Sequence, residues 1–522
     1  MGLVLSTDSI DELFARYGTA YRWLAASTGL LAFFTMAFSS TIVNVAVPDV
    51  MGAFGIGQDK AQFLATAFFA TMVSSQLLSR WITERLGQRL AFSAALLLFS
   101  FGSAVSGFGP TIDFIILGRV MQGFAAGSLQ PLVMIILVQV FPPERRGLAM
   151  GLFSMGVVAA LGVGPYIGGL TIDNLTWRYI FLTPMVTVVI AFTMGLLFLP
   201  STRPAVRSQQ FDWTGFVFLN AALFCLMTAI ANGQREGWLS NEIVALFCVA
   251  AATGVGFVLS QFRPEAGLLD LSLFRNRQFV SAALIALFFG CGNFATMYAF
   301  PVFSQLVQDY TATLAGFLLL PGSLIAMAIL PWTGWLSDHV PYHFPIIGGL
   351  IVFAISMVLM AGADVDTAVW SIGFFIFVGR LGLAFVVPSM NSAAIASLPA
   401  EKVSQGVGAI NFFLLLGGAC GINLLVVIME QRTQWHSDLL ASTQTAGNAA
   451  TREMLAGVHG MLGETGVPAA LHTPVALDYL GKVVHAQANT LGFQDGFSAL
   501  AIVFLLAIVP ATVLAWIRRG KG

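Results

Sequence analysis

Two neighbouring stretches decide how this chain is read. They are Leu117-Gly-Arg-Val-Met-Gln-Gly-Phe-Ala-Ala-Gly127, which runs on to Pro131, and Gly162-Val-Gly-Pro-Tyr-Ile-Gly-Gly169. The first places Arg119 inside a segment otherwise apolar enough to span a bilayer. A charge at that depth costs at least ~2.5 kcal/mol, so an intramembrane arginine points to function. The second carries glycines on one helix face and Pro165 in its middle. Small residues at that spacing let two backbones approach closely, and a proline removes one helix hydrogen bond at a chosen point. A buried charge beside a closely packed, bendable helix pair suggests a machine that moves.

Composition sets the class. Of 522 residues, 57% are hydrophobic and only 9% are charged, with a mean hydropathy of +0.85. A soluble chain carries about 25% charged residues, so an all-α polytopic membrane protein in the lipid bilayer is expected. The net charge of −1 gives no reason to expect a nucleic-acid partner. Cys225, Cys248, Cys291 and Cys420 all fall in apolar runs, without metal-ligand spacing. No cofactor is implied.

Apolar runs of spanning length occur fourteen times, each near the ~20 residues that a bilayer requires. Six lie within 22–199, two within 213–262 and six within 278–517. Residues 1–21 are expected to form a short amphipathic segment on the cytoplasmic face. An even span count puts both termini on one side. Arginine and lysine crowd that side, from Arg80, Arg85 and Arg89 to Arg518, Arg519 and Lys521, while the other keeps few. By the positive-inside rule both termini are cytoplasmic.

An internal repeat is visible. Trp81-Ile-Thr-Glu-Arg-Leu-Gly87 follows the second run and Gly334-Trp-Leu-Ser-Asp-His339 the tenth, each placing an acid at a helix mouth. Glu84 and Asp338 are about 255 residues apart, as are Pro131 and Pro388, each late in a run holding an arginine, Arg119 or Arg380. Two six-helix halves therefore repeat, with 213–262 inserted between them. Parallel repeats of this kind mark transporters, with the substrate site between the halves near mid-membrane.

Six further motifs carry a resemblance. Ser40-Thr-Ile-Val-Asn-Val-Ala-Val-Pro48, Arg119-Val-Met-Gln-Gly123 and Gly164-Pro-Tyr-Ile-Gly-Gly169 come first. Trp177-Arg-Tyr-Ile-Phe181, Phe211-Asp-Trp-Thr-Gly215 and Leu273-Phe-Arg-Asn-Arg277 follow in order. Together they resemble the major facilitator superfamily, in its fourteen-helix drug:proton antiporter group of the EmrB/QacA type. The resemblance covers essentially the whole chain. It implies the major facilitator fold, two six-helix bundles plus two inserted helices, and export of small amphipathic substrates in exchange for protons. It also implies a bacterial inner-membrane location. The chain departs from the pattern where Ser39 and Ser40 replace the usual aspartate before Thr-Ile-Val-Asn, a candidate proton carrier in relatives. Arg80, Glu84 and Gln88 also depart from the usual first-loop motif.

Candidate residues follow. Arg119 cannot be neutralised in practice, so it needs a carboxylate, helix carbonyls, water or a substrate; Asp113 is the nearest acid in its run. Gly164, Pro165, Gly168 and Gly169 form the closely packed face. Glu84 with Arg85, and Asp338, are placed to latch a cytoplasmic gate against a helix N-terminus. Asn44, Gln122, Asn293, Asn391 and Asn411 are candidate cavity polar groups, with Phe294, Met297 and Tyr298 as an adaptable apolar wall. With the span-one aspartate missing, proton exchange would fall on Asp113, Glu430, Asp495 or a gate acid. Residues 430–493 form the one long soluble segment; a helical hairpin, a substrate-exit lip and a docking point for a periplasmic adaptor all fit its composition. A dedicated exporter of one metabolite and an uncoupled facilitator are the rival readings. No nucleophile–base pair argues for an enzyme, and no Walker-type loop for an ATP-driven pump.

Overall fold

A computed structural model describes residues 9–142, 145–201, 211–262, 268–399, 402–445 and 447–519. The side chains of 146–150, 338, 404 and 517–519 lie outside that description, so those of Asp338, Arg518 and Arg519, and Lys521 altogether, are not placed.

Fourteen helices among the described residues are long and apolar enough to cross a bilayer. The first six are Ile10–Phe54, Gln58–Leu86, Gln88–Phe108, Ile112–Val140, Gly151–Asn174 and Tyr179–Phe198. The seventh and eighth are Trp213–Glu236 and Asn241–Ser260. The last six are Arg277–Leu306, Ala312–Ser337, His343–Ala361, Val369–Ile395, Gln405–Thr443 and Ala469–Trp516. They are called spans one to fourteen below. A bilayer core offers no water to backbone N–H and C=O groups, so each crossing segment must close its own hydrogen bonds as a helix. Fourteen such helices make the protein an integral membrane protein.

The repeat is visible in one joint. A Cβ on Gly102 of span three would stand 2.7 Å from the Gly118 carbonyl oxygen of span four, and one on Gly349 of span eleven 2.7 Å from the Gly382 carbonyl oxygen of span twelve. In each bundle the helix carrying the buried arginine is thus clamped by a glycine-to-glycine approach beside it. Prolines sit inside spans four, five, nine, twelve and fourteen without ending them.

Spans seven and eight lean on both bundles. Asp212 caps span seven by accepting from the Gly215 N–H (2.8 Å) and also accepts from Gln261 Nε2 (3.3 Å). Trp81 of span two stacks edge-on against Trp213 at 5.1 Å. Asn423 of span thirteen donates to the Met227 carbonyl at 2.8 Å.

Residues 430–493 are largely helical. One helix runs unbroken over Val403–Thr443, 41 residues or roughly 60 Å, and another over Ala469–Arg519, 51 residues or roughly 75 Å. Both exceed the ~30 Å hydrocarbon thickness about twofold, so their facing ends stand clear of it, with Ala449–Glu464 between them. The face carrying this hairpin is called the loop face, and the opposite one, where Ile10 and Arg519 lie, the terminal face.

Candidate functional site

Arg119 is fully buried, and its guanidinium is caged by neutral oxygens. Nε donates to the Leu64 carbonyl (2.7 Å), and Nη1 to Gln122 Oε1 (2.8 Å), the Ser39 carbonyl (3.2 Å) and Ser39 Oγ (3.3 Å). The ring of Phe68 lies under its Cζ at 4.3 Å. Gln122 in turn donates to Ser103 Oγ at 2.8 Å. Of the acceptors open to Arg119, helix carbonyls are found and the nearest acid is not. Asp113 is exposed at the loop-face end of span four and does not pair with Arg119, because six residues place it about 9 Å away along the axis. Gln122, expected in the cavity lining, is spent orienting the arginine.

The second bundle holds a counterpart that sequence reasoning noted only as a repeat mate. Arg380 is 2% exposed; its Nη2 donates to Met297 Sδ (3.0 Å) and its Nη1 to Asn293 Oδ1 (3.5 Å), while Nε has no acceptor. The signal was the one that singled out Arg119: an arginine inside an apolar run, Val369–Ile395. Asn293 and Met297 are thus brought to a buried cation, and Phe294 and Tyr298 follow them on span nine. Phe294 reaches across to Phe69 of the first bundle, centroids 4.6 Å apart. The Tyr298 hydroxyl is buried without a partner. Asn391 and Asn411 are half-buried and take no hydrogen-bond partner among the described residues.

Four hydrogen bonds join the two bundles among the described residues. Asn44 Nδ2 donates to the Met297 carbonyl (3.1 Å), and Gln305 Nε2 to the Val45 carbonyl (2.9 Å). Thr313 N–H donates to Asp173 Oδ2 (2.9 Å), and Asp59 N–H to Glu430 Oε1 (2.8 Å). Asn44, expected to line the cavity, belongs to this joint. The glycine face of span five is divided between two neighbours. A Cβ on Gly164 would meet Thr41 Oγ1 at 2.5 Å and one on Gly168 would meet Ile42 Cγ1 at 2.7 Å, both on span one. One on Gly169 would fall on the backbone of Ala312 in span ten, while the Pro165 carbonyl lies against Gly316. Toward the terminal face the pattern reverses: Gly151, Gly156, Gly334 and Gly408 have nothing within 4 Å of an added Cβ. Among the described residues, the hydrogen bonds between the bundles therefore lie over the loop-face half.

The acids separate clearly. Asp495 stays within its own hairpin, paired with Arg432 (3.1 Å) and His436 (2.9 Å). Glu84 pairs with Arg80 on its own helix at 2.8 Å, and Arg85 lies over the Trp81 ring at 4.8 Å; among the described residues Glu84 is not seated on a neighbouring helix end. The gate residue Asp338 has its side chain outside the described residues. Of the candidate acids with described side chains, Glu430 reaches the opposite bundle, as does Asp173, which sequence reasoning did not single out. Glu430 shares its neighbourhood with the Asp59 carboxylate, which Arg235 of span seven approaches at 3.5 Å. Asp59 and Arg235 were not singled out in sequence, since each reads as an ordinary loop charge.

A family model for the Major Facilitator Superfamily matches residues 29–422. Multidrug export protein EmrB of Haemophilus influenzae is 26% identical over 487 residues, covering 92% of this chain and 93% of that one. Fatty acid resistance protein FarB of Neisseria gonorrhoeae is 24% identical over 503 residues, covering 95% and 96%. A solved bacterial homolog of the human lysosomal transporter Spinster, inward-facing and unoccupied, superposes with a TM-score of 0.64 at 13% identity, covering 95% of this chain and 97% of that one. With that family match laid over fourteen spans and two repeated arginine-bearing bundles, the chain belongs to the Major Facilitator Superfamily and is a membrane transporter of that type.

Proposed function

We propose that the protein exports amphipathic or lipophilic compounds by alternating access, in exchange for protons. It would work in a bacterial inner membrane with the terminal face cytoplasmic, the orientation that the arginine bias favours. The observation that carries this reading is one-sided closure: all four bonds between the bundles lie toward the loop face, around two buried arginines. A machine that must open first to one side and then to the other has two such states, and this is one of them. The buried Met297 against Arg380, with Phe294 and Tyr298 on the same span, suits substrates held by shape and apolar contact. Relatives bearing the names of multidrug exporters support the substrate class, and the fatty-acid resistance relative favours lipophilic anions as one branch of it.

Glu430 is the residue proposed to carry the proton, since of the candidate acids with described side chains it alone spans the closing surface. The test is growth of a pump-deleted host expressing the chain across a panel of toxic compounds. Protection against several unrelated amphiphiles is expected. Protection against a single compound would establish a dedicated exporter, and none at all would remove the export reading.

A further inference from the structure

A cavity of about 340 Å³ opens on the terminal face, away from the transport machinery. It is lined by Thr19, Ala20, Arg22 and Trp23 at the start of span one, and by Phe141 and Arg145 just after span four. The short helix Ile10–Tyr17 precedes it, closed by a capping box between Ser9 and Glu12 and pinned by the buried Leu13. Two features ask for an anion. Neither Arg22 nor Arg145 pairs with a carboxylate among the described residues, and Arg22 Nε is buried without an acceptor. A buried guanidinium donor left unmade is costly, and guanidinium forks match phosphate oxygens two at a time. One feature asks for a lipid. Trp23 is 53% exposed and stacks edge-on against Phe141 at 5.7 Å, at the end of two spans where interfacial aromatic residues collect.

We propose that this cavity binds the phosphate of an anionic phospholipid in the leaflet next to the terminal face. The phosphate sits between Arg22 and Arg145, the Thr19 hydroxyl is within the same lining, and the acyl chains leave past Trp23 into the bilayer. A free phosphate ion shares the charge recognition but makes no use of the aromatic flank. Basic pockets between spanning helices on the arginine-rich side are the sites where anionic headgroups are held.

The test titrates the full-length protein in detergent with phosphatidylglycerol, phosphatidylcholine and inorganic phosphate, counting retained adducts by native mass spectrometry. One tightly held phosphatidylglycerol is expected, with phosphatidylcholine weaker and inorganic phosphate competing only weakly. The double variant Arg22→Gln, Arg145→Gln should weaken that adduct about thirty-fold, and the corresponding double lysine variant less. Ala20→Trp keeps both charges but fills the cavity, and should also lose the adduct; it serves if the glutamine variant does not fold. Unchanged binding in the variants, equal binding of the two lipids, or phosphate bound as tightly as lipid would each overturn the proposal. Export need not be measured, so the outcome is independent of the transport reading.

Discussion

An arginine buried among apolar helices needs acceptors, and the two in this protein find them differently. Arg119 is held by backbone carbonyls, a serine and a glutamine; Arg380 by one asparagine and a thioether. The need was legible in sequence for Arg119, since a charge in an apolar run is conspicuous. Helix carbonyls were among the acceptors open to it, but which ones was not legible, because the carbonyls of Leu64 and Ser39 carry no side-chain signature. The Ser39 position matters for coupling. Where relatives of the resembled group keep an aspartate, this chain offers only neutral oxygens, so Arg119 has no titrating partner there. Each arginine keeps one buried donor without an acceptor among the described residues, Nη2 of Arg119 and Nε of Arg380. A lysine could not reach Asn293 Oδ1 and Met297 Sδ together. Arg380→Lys should therefore lower export about tenfold or more at unchanged protein level, the size of one lost hydrogen bond to a charge. Export in inverted vesicles, normalised to protein, checks it; activity within twofold of the parent would count against the role.

Span five shows what an element-level reading can and cannot reach. Glycines at 164, 168 and 169 with Pro165 announce a close approach, and that much is legible. Which helix approaches is not, since glycine has no chemistry to choose a partner. In three dimensions the face is split: Gly168 serves the joint with span one inside its bundle, and Gly169 the joint with span ten across bundles. The two positions should therefore fail differently. Gly168→Leu should insert normally and abolish export by distorting the first bundle. Gly169→Leu should wedge the loop face open and lower labelling of Asn411→Cys by an impermeant maleimide added from the terminal-face side severalfold. Gly156→Leu, with open space around it, is the control that leaves labelling unchanged. Equal labelling in all three would remove the split. The gate elements give a second contrast. Glu84 is satisfied by Arg80 on its own helix in this state, so Glu84→Ala should be mild, whereas Asp338→Ala, in the copy that keeps its glycine, should damage export more. Export by both at matched levels decides it.

At the scale of the whole molecule, hydropathy delivers fourteen spans, because lipid forces every crossing segment to be an apolar helix, while the repeat and the insert rest on motifs about 255 residues apart. The hairpin beyond the membrane was harder. Hydropathy falls after Met429 while helix-forming residues continue, so polarity hides a helix that runs on to Thr443. That continuation sets Glu430 at the membrane edge, against Asp59 of the other bundle. Its electrostatics suggest how the exchange would run. Asp59 and Glu430 bring two carboxylates to one closing surface, with Arg235 the cation paired across it, 3.5 Å from Asp59. With both ionised, like charge opposes closure; with Glu430 protonated, the carboxyl oxygen still accepts the Asp59 N–H while the repulsion is gone. A proton taken from the loop-face side would thus favour the state seen here, and its release toward the terminal face would favour reopening. Export against that inward proton flow has the sign of antiport. Spin labels across the terminal face should therefore move apart, and those across the loop face together, as the pH is lowered. Glu430→Gln mimics the protonated acid and should hold the closed-loop-face distances at every pH. In liposomes the same variant should still bind substrate but no longer accumulate it under an imposed pH gradient, while Asp495→Asn and Asp113→Asn continue to do so. Distances in Glu430→Gln that follow pH as in the parent, or accumulation that survives collapse of the gradient in the parent, would each refute this assignment.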